Sequence, residues 1–406
     1  MAPRLIITGS TGYIGARLVA MARERGFDVV ELGRRPGAKW RIGDEPAASD
    51  LEGAIGLVHL AHSWATPPEA AEEEENVNIS GTLKLAEAAK ATGVPHFVFA
   101  SSTSSRKEAL NVYGRTKFRI EEHLAASKAA PIVRIARIGL VYGGPRTAMY
   151  GLMAKLAALS PILPMIGLSR KVQPIHLDEV AAGLLALATG ENQPLQTIVL
   201  AQEKPISFAT WLRILRRAQG KGNLRFIPVP LTAALLACRM TKLLPLIPTV
   251  DPERVLGLAG AAPMESSESL KLLKLNLSDP AMVLAGEFGQ THEEQSRCEA
   301  QALLRYLGIA PTEIQLQRLC EGLRREGLSP LGLSPAMIRH PGLLALFEPP
   351  ANRTRHRLAQ ALYLADLTSE PERTPGKKAG FFGAMLVISS DVLLFPLRAL
   401  LAGRYR

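Results

Sequence analysis

The amino-acid sequence predicts an α/β protein: a doubly wound parallel sheet with a small substrate subdomain and a helical C-terminal extension. Three observations carry the prediction. From residue 4 to about 200, short apolar runs alternate with helical stretches, the pattern of parallel strands joined by crossover helices. The first run passes directly into a turn with Gly9, Gly12 and Gly15 at three-residue spacing, and an alanine-rich helix follows. Beyond about residue 260 the strand signal fades and amphipathic helical patterns take over.

Taken in order, Leu5–Thr8 reads as the first strand and Ala16–Arg25 as the helix behind the glycine turn. Asp28–Leu32, Leu57–Ala61, Phe97–Ala100 and Ile132–Ile138 read as further strands, with Ile79–Ala91 and Thr116–Ser127 as crossover helices. Pro161, Pro164 and Pro174 punctuate a looser region, and Thr197–Leu200 reads as another strand. Val229–Ile247 is apolar but interrupted by Arg239, Lys242 and prolines, too broken for a membrane span. Glu293–Leu307, Thr312–Arg325 and Thr354–Leu364 carry helical periodicity between Gly and Pro breaks. The expected organisation is a cofactor domain over 1–260, with a substrate-binding portion from about 140–175 and 200–260. A helical extension over 261–370 and a basic, apolar tail over 371–406 follow.

Composition narrows the classes. The 406-residue chain is 47% apolar and 21% charged, enough to build two cores. Cys238, Cys298 and Cys320 lie far apart, which argues against a disulfide framework and suits a reducing compartment. No His/Asp/Glu cluster has ligand spacing, so no metal is expected. The first strand begins by residue 4, leaving no room for a signal peptide, and the expected location is the cytoplasm. The formal charge of +11 invites a nucleic-acid reading, but the cations are scattered and no basic stripe is interleaved with aromatics. No nucleic-acid partner is expected; an anionic cofactor and a membrane surface account for the excess equally well.

The strongest chemical signal is the run Gly9-Ser10-Thr11-Gly12-Tyr13-Ile14-Gly15. Bare backbone lets the turn approach a pyrophosphate, and the helix behind it aims unpaired N–H groups and the positive end of its dipole at the anion. A nicotinamide dinucleotide is the expected ligand. Ser101-Ser102 closes the apolar run Phe97–Ala100, where parallel sheets place ligands. Tyr113 and Lys117 follow at helical spacing, so an ammonium can sit beneath a phenol. A free tyrosine holds its proton to about pH 10; a neighbouring Lys⁺ lowers that value, and a serine hydroxyl can orient the substrate oxygen. This set supports proton transfer coupled to hydride transfer. A plain solvated helix is the alternative for Tyr113 and Lys117.

Together these features make the chain resemble the short-chain dehydrogenase/reductase superfamily, in its extended and atypical NAD(P)-dependent epimerase/dehydratase branch. The matching residues are Thr8 to Gly15, Val58-His59-Leu60-Ala61 (the family's fourth-strand run), Asn78-Ile79-Ser80-Gly81-Thr82 and the serine strand end. Tyr113/Lys117, Val141-Tyr142-Gly143 and Ile175-His176-Leu177-Asp178-Glu179-Val180 extend them. The resemblance covers roughly residues 1–260 and implies a Rossmann sheet. It further implies Tyr113 as acid/base, Lys117 as holder of the nicotinamide ribose and Ser102 as substrate-orienting group, with Ser101 or Thr103 as alternatives to Ser102. It places Leu60 and Ala61 at the cofactor, Asp44 near the adenine, and Val141, Tyr142 and His176 on the substrate side. Asn78 reads as an anchor of helix and cofactor loop.

The second strand ends in Gly33-Arg34-Arg35, and two guanidiniums suit a 2′-phosphate, so NADP(H) is favoured with NAD(H) the alternative. Arg34 and Arg35 read equally as a solvated loop. Nucleotide-sugar enzymes of the branch carry Asn where this chain has Leu140, and Arg-Asp where it has Gln173-Pro174, so groups that hold a sugar nucleotide are missing. Leu159–Gly167 and Pro228–Pro248 instead resemble the atypical group that includes the Rossmann accessory subunit of complex I. The leading expectation is an NAD(P)H-dependent oxidoreductase acting on a carbonyl or hydroxyl carbon of a largely apolar, lipid-like small molecule. A nucleotide-sugar epimerase/dehydratase and a non-catalytic cofactor-binding scaffold are the alternatives. His59 and His62 read as structural. Within 380–406, Phe381–Phe395 is apolar with basic flanks but contains Asp391; it reads as a packed helix or as a peripheral contact at the cytoplasmic face of a membrane.

Overall fold

Six parallel strands form the centre of the protein, in the spatial order Thr197–Leu200, Ile132–Ile138, His96–Ser102, Ala54–His59, Arg4–Thr8 and Asp28–Leu32. The computed structural model describes residues 2–33, 40–64, 73–126, 132–190, 195–241, 251–306, 310, 312–325, 333 and 335–343. In chain order the elements begin β1 (Arg4–Thr8), α1 (Tyr13–Glu24), β2 (Asp28–Leu32), α2 (Ala48–Leu51), β3 (Ala54–His59), α3 (Val77–Ala91), β4 (His96–Ser102) and α4 (Val112–Ala126). They continue β5 (Ile132–Ile138), β6 (Leu140–Tyr142), α5 (Ala148–Leu159), β7 (Ile162–Met165), β8 (Lys171–Val172), β9 (Pro174–His176) and α6 (Leu177–Ala188). Then come β10 (Thr197–Leu200), β11 (Ile206–Ser207), α7 (Phe208–Ala218), β12 (Arg225–Pro228), α8 (Leu231–Thr241), α9 (Pro252–Ala259) and α10 (Ser267–Leu272). The last three are α11 (Pro280–Tyr306), α12 (Glu313–Arg325) and α13 (Pro335–Arg339). Arg34, Arg35, the expected helix Thr354–Leu364 and the tail 380–406 lie outside the described residues.

Period-2 alternation explains why the strands read as continuous apolar runs: both faces are buried. Leu5, Ile7, Val58, Val98, Ala100 and Ala136 enter one core with α1 and α6. Ile6, Leu57, Phe97, Phe99 and Ile135 enter the other with α3 and α4. The chain winds outward from β1 in both directions, so the strand order reverses between β1 and β3. In such sheets the crevice at the carboxyl ends of the two strands flanking the reversal takes the ligand.

Several boundaries differ from the sequence expectation. The strand expected over Leu57–Ala61 is Ala54–His59, because the N–H groups of Leu60 and Ala61 donate to Thr8 Oγ1 (both 3.1 Å) instead of continuing the sheet. The strand expected over Phe97–Ala100 runs on to Ser102, paired through Ile138 of β5. Helix α4 starts four residues before Thr116, since Glu253 Oε2 accepts the Val112 N–H at 2.7 Å from a distant part of the chain. Helix α11 starts at Pro280 rather than Glu293: Asp279 Oδ1 accepts the Ala281 and Met282 N–H groups (2.7 and 3.1 Å), with proline at the first helical position.

The chain divides into two compact units, 1–285 and 286–406. The first holds the sheet and three two-stranded pairs, β6-β9, β7-β12 and β8-β11. Within it, α9, α10 and the connections around them are tied to the sheet region: the Gln173 side chain bonds Met264 N and O (both 2.8 Å), and Ser269 Oγ accepts Val199 N–H at 2.9 Å. In the second unit Leu303 and Met337 form a small core, and Arg297 pairs with Glu313 at 2.6 Å. Among the described residues no helix is long and apolar enough to cross a membrane, and no group of three His, Cys, Asp or Glu is placed to hold a metal.

Candidate active site

The glycine turn lies between β1 and α1, at the strand reversal. Gly9 takes φ +67, and a Cβ there would lie 2.8 Å from Ala61 N. A Cβ on Gly15 would meet Gly9 O at 2.1 Å, so helix and turn touch backbone to backbone. Gly12 N–H donates to Gly9 O at 2.9 Å and Gly12 caps α1 without a side-chain partner, leaving first-turn N–H groups to face an anion. Ser10 Oγ beside them is buried with no hydrogen-bond partner. A bare cradle, an N-terminal helix dipole and an orphaned hydroxyl fit a dinucleotide. Tyr13 braces the cradle. Its hydroxyl donates to Gly143 O at 2.5 Å, tying the turn to the loop after β6.

A hydrogen-bonded column fixes the β1–β3 crevice. Thr8 Oγ1 accepts from Leu60 and Ala61 N–H, so its own proton goes to His59 Nδ1 at 2.8 Å. Thr82 Oγ1 donates to Asn78 O at 2.6 Å and therefore accepts from His59 Nε2–H at 3.0 Å. These constraints assign the Nε2–H tautomer, and full burial drops the His59 pKa to about 3, so the ring stays neutral. His59 is a structural strut. Asn78 performs the same service for the loop beyond β3: its side chain accepts Ser63 N–H at 2.7 Å and donates to Ser63 O at 3.0 Å.

Asp44 Oδ2 accepts Arg41 N–H at 2.8 Å, closing a turn packed on α3, where a Cβ on Gly81 would lie 2.5 Å from Gly43 N. The carboxylate shapes the 40–44 loop.

Ser102, Tyr113 and Lys117 meet where β4 ends and α4 begins. The Ser102 hydroxyl accepts Ser104 N–H at 3.1 Å and lies close enough to the Tyr113 phenol to favour its ionised form. Ser101 points elsewhere: its hydroxyl donates to Glu121 Oε1, which Arg137 also grips through Nη2–Oε2 at 2.6 Å. Lys117 Nζ donates to Ala100 O at 2.7 Å and lies 4.4 Å from the centre of the Phe99 ring. Burial drags the Lys117 pKa down to about 7, with Glu121 opposing the fall. Tyr113 departs from the sequence expectation: burial pushes its pKa up to about 12, against the pull of Ser102, so the phenol holds its proton. Lys117 spends its ammonium on the strand carbonyl and sits 5.7 Å from the Tyr113 ring centre.

Two aromatic residues of the loop after β3 cover this phenol. Trp64 stacks on Tyr113 at 5.3 Å with 18° between planes, and is 78% exposed. His62 meets both rings edge-on, at 4.8 Å from Trp64 and 5.0 Å from Tyr113, and its Nδ1 is buried without a hydrogen-bond partner. Burial and the Lys117 charge hold His62 neutral, its pKa down to about 2. In the sequence Trp64 carries one signal, its place just beyond a parallel strand's carboxyl end.

Of the residues expected on the substrate side, Val141 packs partly buried against the α1/α6 core, paired with Ile175 across β6-β9. Tyr142 is fully buried, 5.3 Å from the rings of both His176 and Trp211. His176 caps α6: its Nδ1 accepts Asp178 N–H at 3.3 Å while Glu179 accepts the His176 N–H at 2.9 Å, a capping box.

The profile of the NAD dependent epimerase/dehydratase family matches residues 5–201. The chain is similar to the ceramide reductase of Caulobacter vibrioides (strain NA1000 / CB15N), 32% identical over 225 residues that cover 52% of this chain and 68% of that protein. Its fold is similar to that of UDP-N-acetylglucosamine 4-epimerase from Bacillus cereus, with a TM-score of 0.54 at 18% identity over 71% of this chain and 99% of the other. MoeE5, solved in complex with UDP-glucose and NAD, superposes with a TM-score of 0.53 at 19% identity, covering 72% and 99%.

Proposed function

The chain belongs to the NAD dependent epimerase/dehydratase family of NAD(P)-dependent reductases, epimerases and dehydratases, and on that premise we propose that it reduces a carbonyl on a long-chain lipid. The observation that carries the reading is the convergence of Ser102, at the end of β4, with Tyr113 and Lys117 of α4: Ser102 acts on the Tyr113 phenol, and Lys117 Nζ donates to Ala100 O of the same strand at 2.7 Å and lies 5.7 Å from the Tyr113 ring centre. Gly9, Ser10, Gly12 and Gly15 would hold the dinucleotide, which when bound supplies the hydride. Ser102 orients the carbonyl oxygen. Tyr113 gives that oxygen its phenolic proton as the carbon accepts hydride, and the product is a secondary alcohol. With its pKa pushed up to about 12, the phenol carries its proton at neutral pH and is present as the donor form. Lys117, protonated as pH falls through about 7, stabilises the phenolate left behind.

The substrate class rests on what the chain lacks and on its relative. Leu140 offers no amide to a diphosphate, and the Gln173 side chain is committed to the Met264 backbone. The relative in Caulobacter bears the name ceramide reductase. NADPH is the proposed donor because Arg34 and Arg35 follow β2; tighter binding of NADH in a fluorescence titration would refute that choice. The reading is tested by following reduced-nicotinamide consumption with a long-chain keto lipid in mixed micelles. Lipid-dependent consumption that vanishes in Tyr113→Phe, with cofactor affinity kept, is expected. Turnover of a UDP-sugar but not of the lipid would overturn the proposal in favour of an epimerase.

A further inference from the structure

Two stretches of the first unit carry no negative charge. No Asp or Glu occurs between Glu122 and Asp178, and none between Glu203 and Asp251. These two stretches supply α5, α7, β7 and β12, so every ionised side chain on those elements is a cation. Arg213 and Arg217 on α7 and Arg225 on β12 converge with Gly222, Asn223 and Leu224 around a cavity of about 250 Å³. None of the three has a carboxylate partner among the described residues. Arg213 lies 5.0 Å over the Phe226 ring, which leaves its charge available to an anion.

The site is held in shape. Arg216, the buried arginine of α7, donates to Gly222 O at 2.7 Å, Ala157 O at 2.8 Å and Ser160 O at 3.0 Å. Gln219 Nε2 adds a bond to Ala154 O at 3.0 Å. One guanidinium therefore locks the α7–β12 loop to the end of α5, and the three others face outward.

Beside the arginines the surface is apolar. β7 pairs with β12 so that Arg225 lies opposite Ile162 and Ile227 opposite Pro164. In this parallel pair those residues share the outward face, and Leu163 points inward. Leu159, Ile162 and Ile227 are 77%, 49% and 54% exposed. Large aliphatic side chains flanked by cations that have no carboxylate partner among the described residues complement an interface of acyl chains beneath anionic headgroups. An acidic protein partner would complement the arginines but leave the aliphatic row unexplained.

We propose that the α7–β12–β7 face docks on the anionic surface of a lipid bilayer, with Arg213, Arg217 and Arg225 taking phosphate headgroups and Leu159, Ile162 and Ile227 entering the interface. The inference does not depend on the reductase reading. It is tested with the full chain by co-sedimentation with phosphatidylcholine vesicles, with and without phosphatidylglycerol. Binding that requires phosphatidylglycerol and weakens with added salt is expected. Each arginine reversed to Glu should cost at least about fivefold, and the Arg213→Glu/Arg217→Glu/Arg225→Glu triple about a hundredfold or more. An unchanged circular dichroism spectrum and retained nicotinamide-nucleotide binding establish that the triple variant is folded. Leu159→Ser/Ile162→Ser/Ile227→Ser, which keeps the cations, should also weaken binding. Binding retained by the triple Glu variant, equal binding to both vesicle types, or no binding to either overturns the proposal.

Discussion

Lys117→Met should make the protein more stable while removing its activity. Lys117 is 3% exposed, held by one hydrogen bond to Ala100 O at 2.7 Å and lying against the Phe99 ring. Its pKa falls from 10.5 to about 7, chiefly because burial penalises the charged form. At about 1.4 kcal/mol for each tenfold change in proton affinity, that fall corresponds to roughly 5 kcal/mol as an upper bound. The sign follows from proton counts. Between about pH 7 and 10.5 the unfolded chain binds the proton that the folded chain has released, so this group makes stability rise with pH across that window. Below about pH 7 both states are protonated and the full penalty applies; above 10.5 both are neutral and it is gone. Methionine fills most of the side chain's volume, one atom shorter and without the charge, and loses one hydrogen bond, worth about 1 kcal/mol. Urea unfolding of wild type and Lys117→Met across a pH range from about 6 to about 10 should therefore show the variant ahead by several kcal/mol at the acid end, with the lead shrinking as pH rises. A variant less stable than wild type at the acid end, or a difference independent of pH, would show that desolvation of the ammonium is not the governing cost.

Other perturbations follow from the same geometry. Gly15→Ala places a methyl 2.1 Å from Gly9 O, so the turn must move; nucleotide binding, measured by fluorescence titration, should be lost even where the fold survives. Arg137→Met leaves the Glu121 carboxylate buried without its cation and should destabilise by about 3–5 kcal/mol in urea unfolding. Adding Glu121→Gln should recover much of that loss. His59→Phe keeps ring volume but strands the hydroxyl of Thr8 and removes the donor to Thr82, which should lower stability by about 1–3 kcal/mol.

Much of this site is legible in the sequence because its signals are local. The glycine spacing, the helix behind it and the four-residue step from Tyr113 to Lys117 all follow from one strand and one helix turn. The serine choice was within reach too. Alternation along β4 puts Ser101 on the same face as Phe97 and Phe99, toward α4 and its Glu121. What the sequence hides is non-local. Glu253 starts α4 from 141 residues away, and Arg106 reaches Gly260 O at 3.3 Å. Gln173, a departure from the sugar-nucleotide pattern, turns out to be a staple for Met264 across 91 residues. Tyr113 shows the same limit: neighbour spacing says that Lys117 is near, but burial outweighs proximity and raises the phenol's pKa instead.

The most direct test is isotopic. Reduced cofactor carrying deuterium at the transferable position is supplied to the wild-type enzyme and to Tyr113→Phe, together with a long-chain keto lipid, and the product is weighed by mass spectrometry. One deuterium is expected in the alcohol formed by wild type, and none from Tyr113→Phe under conditions where that variant binds the cofactor. Deuterium transferred at an undiminished rate by Tyr113→Phe would rule out this phenol as the proton donor.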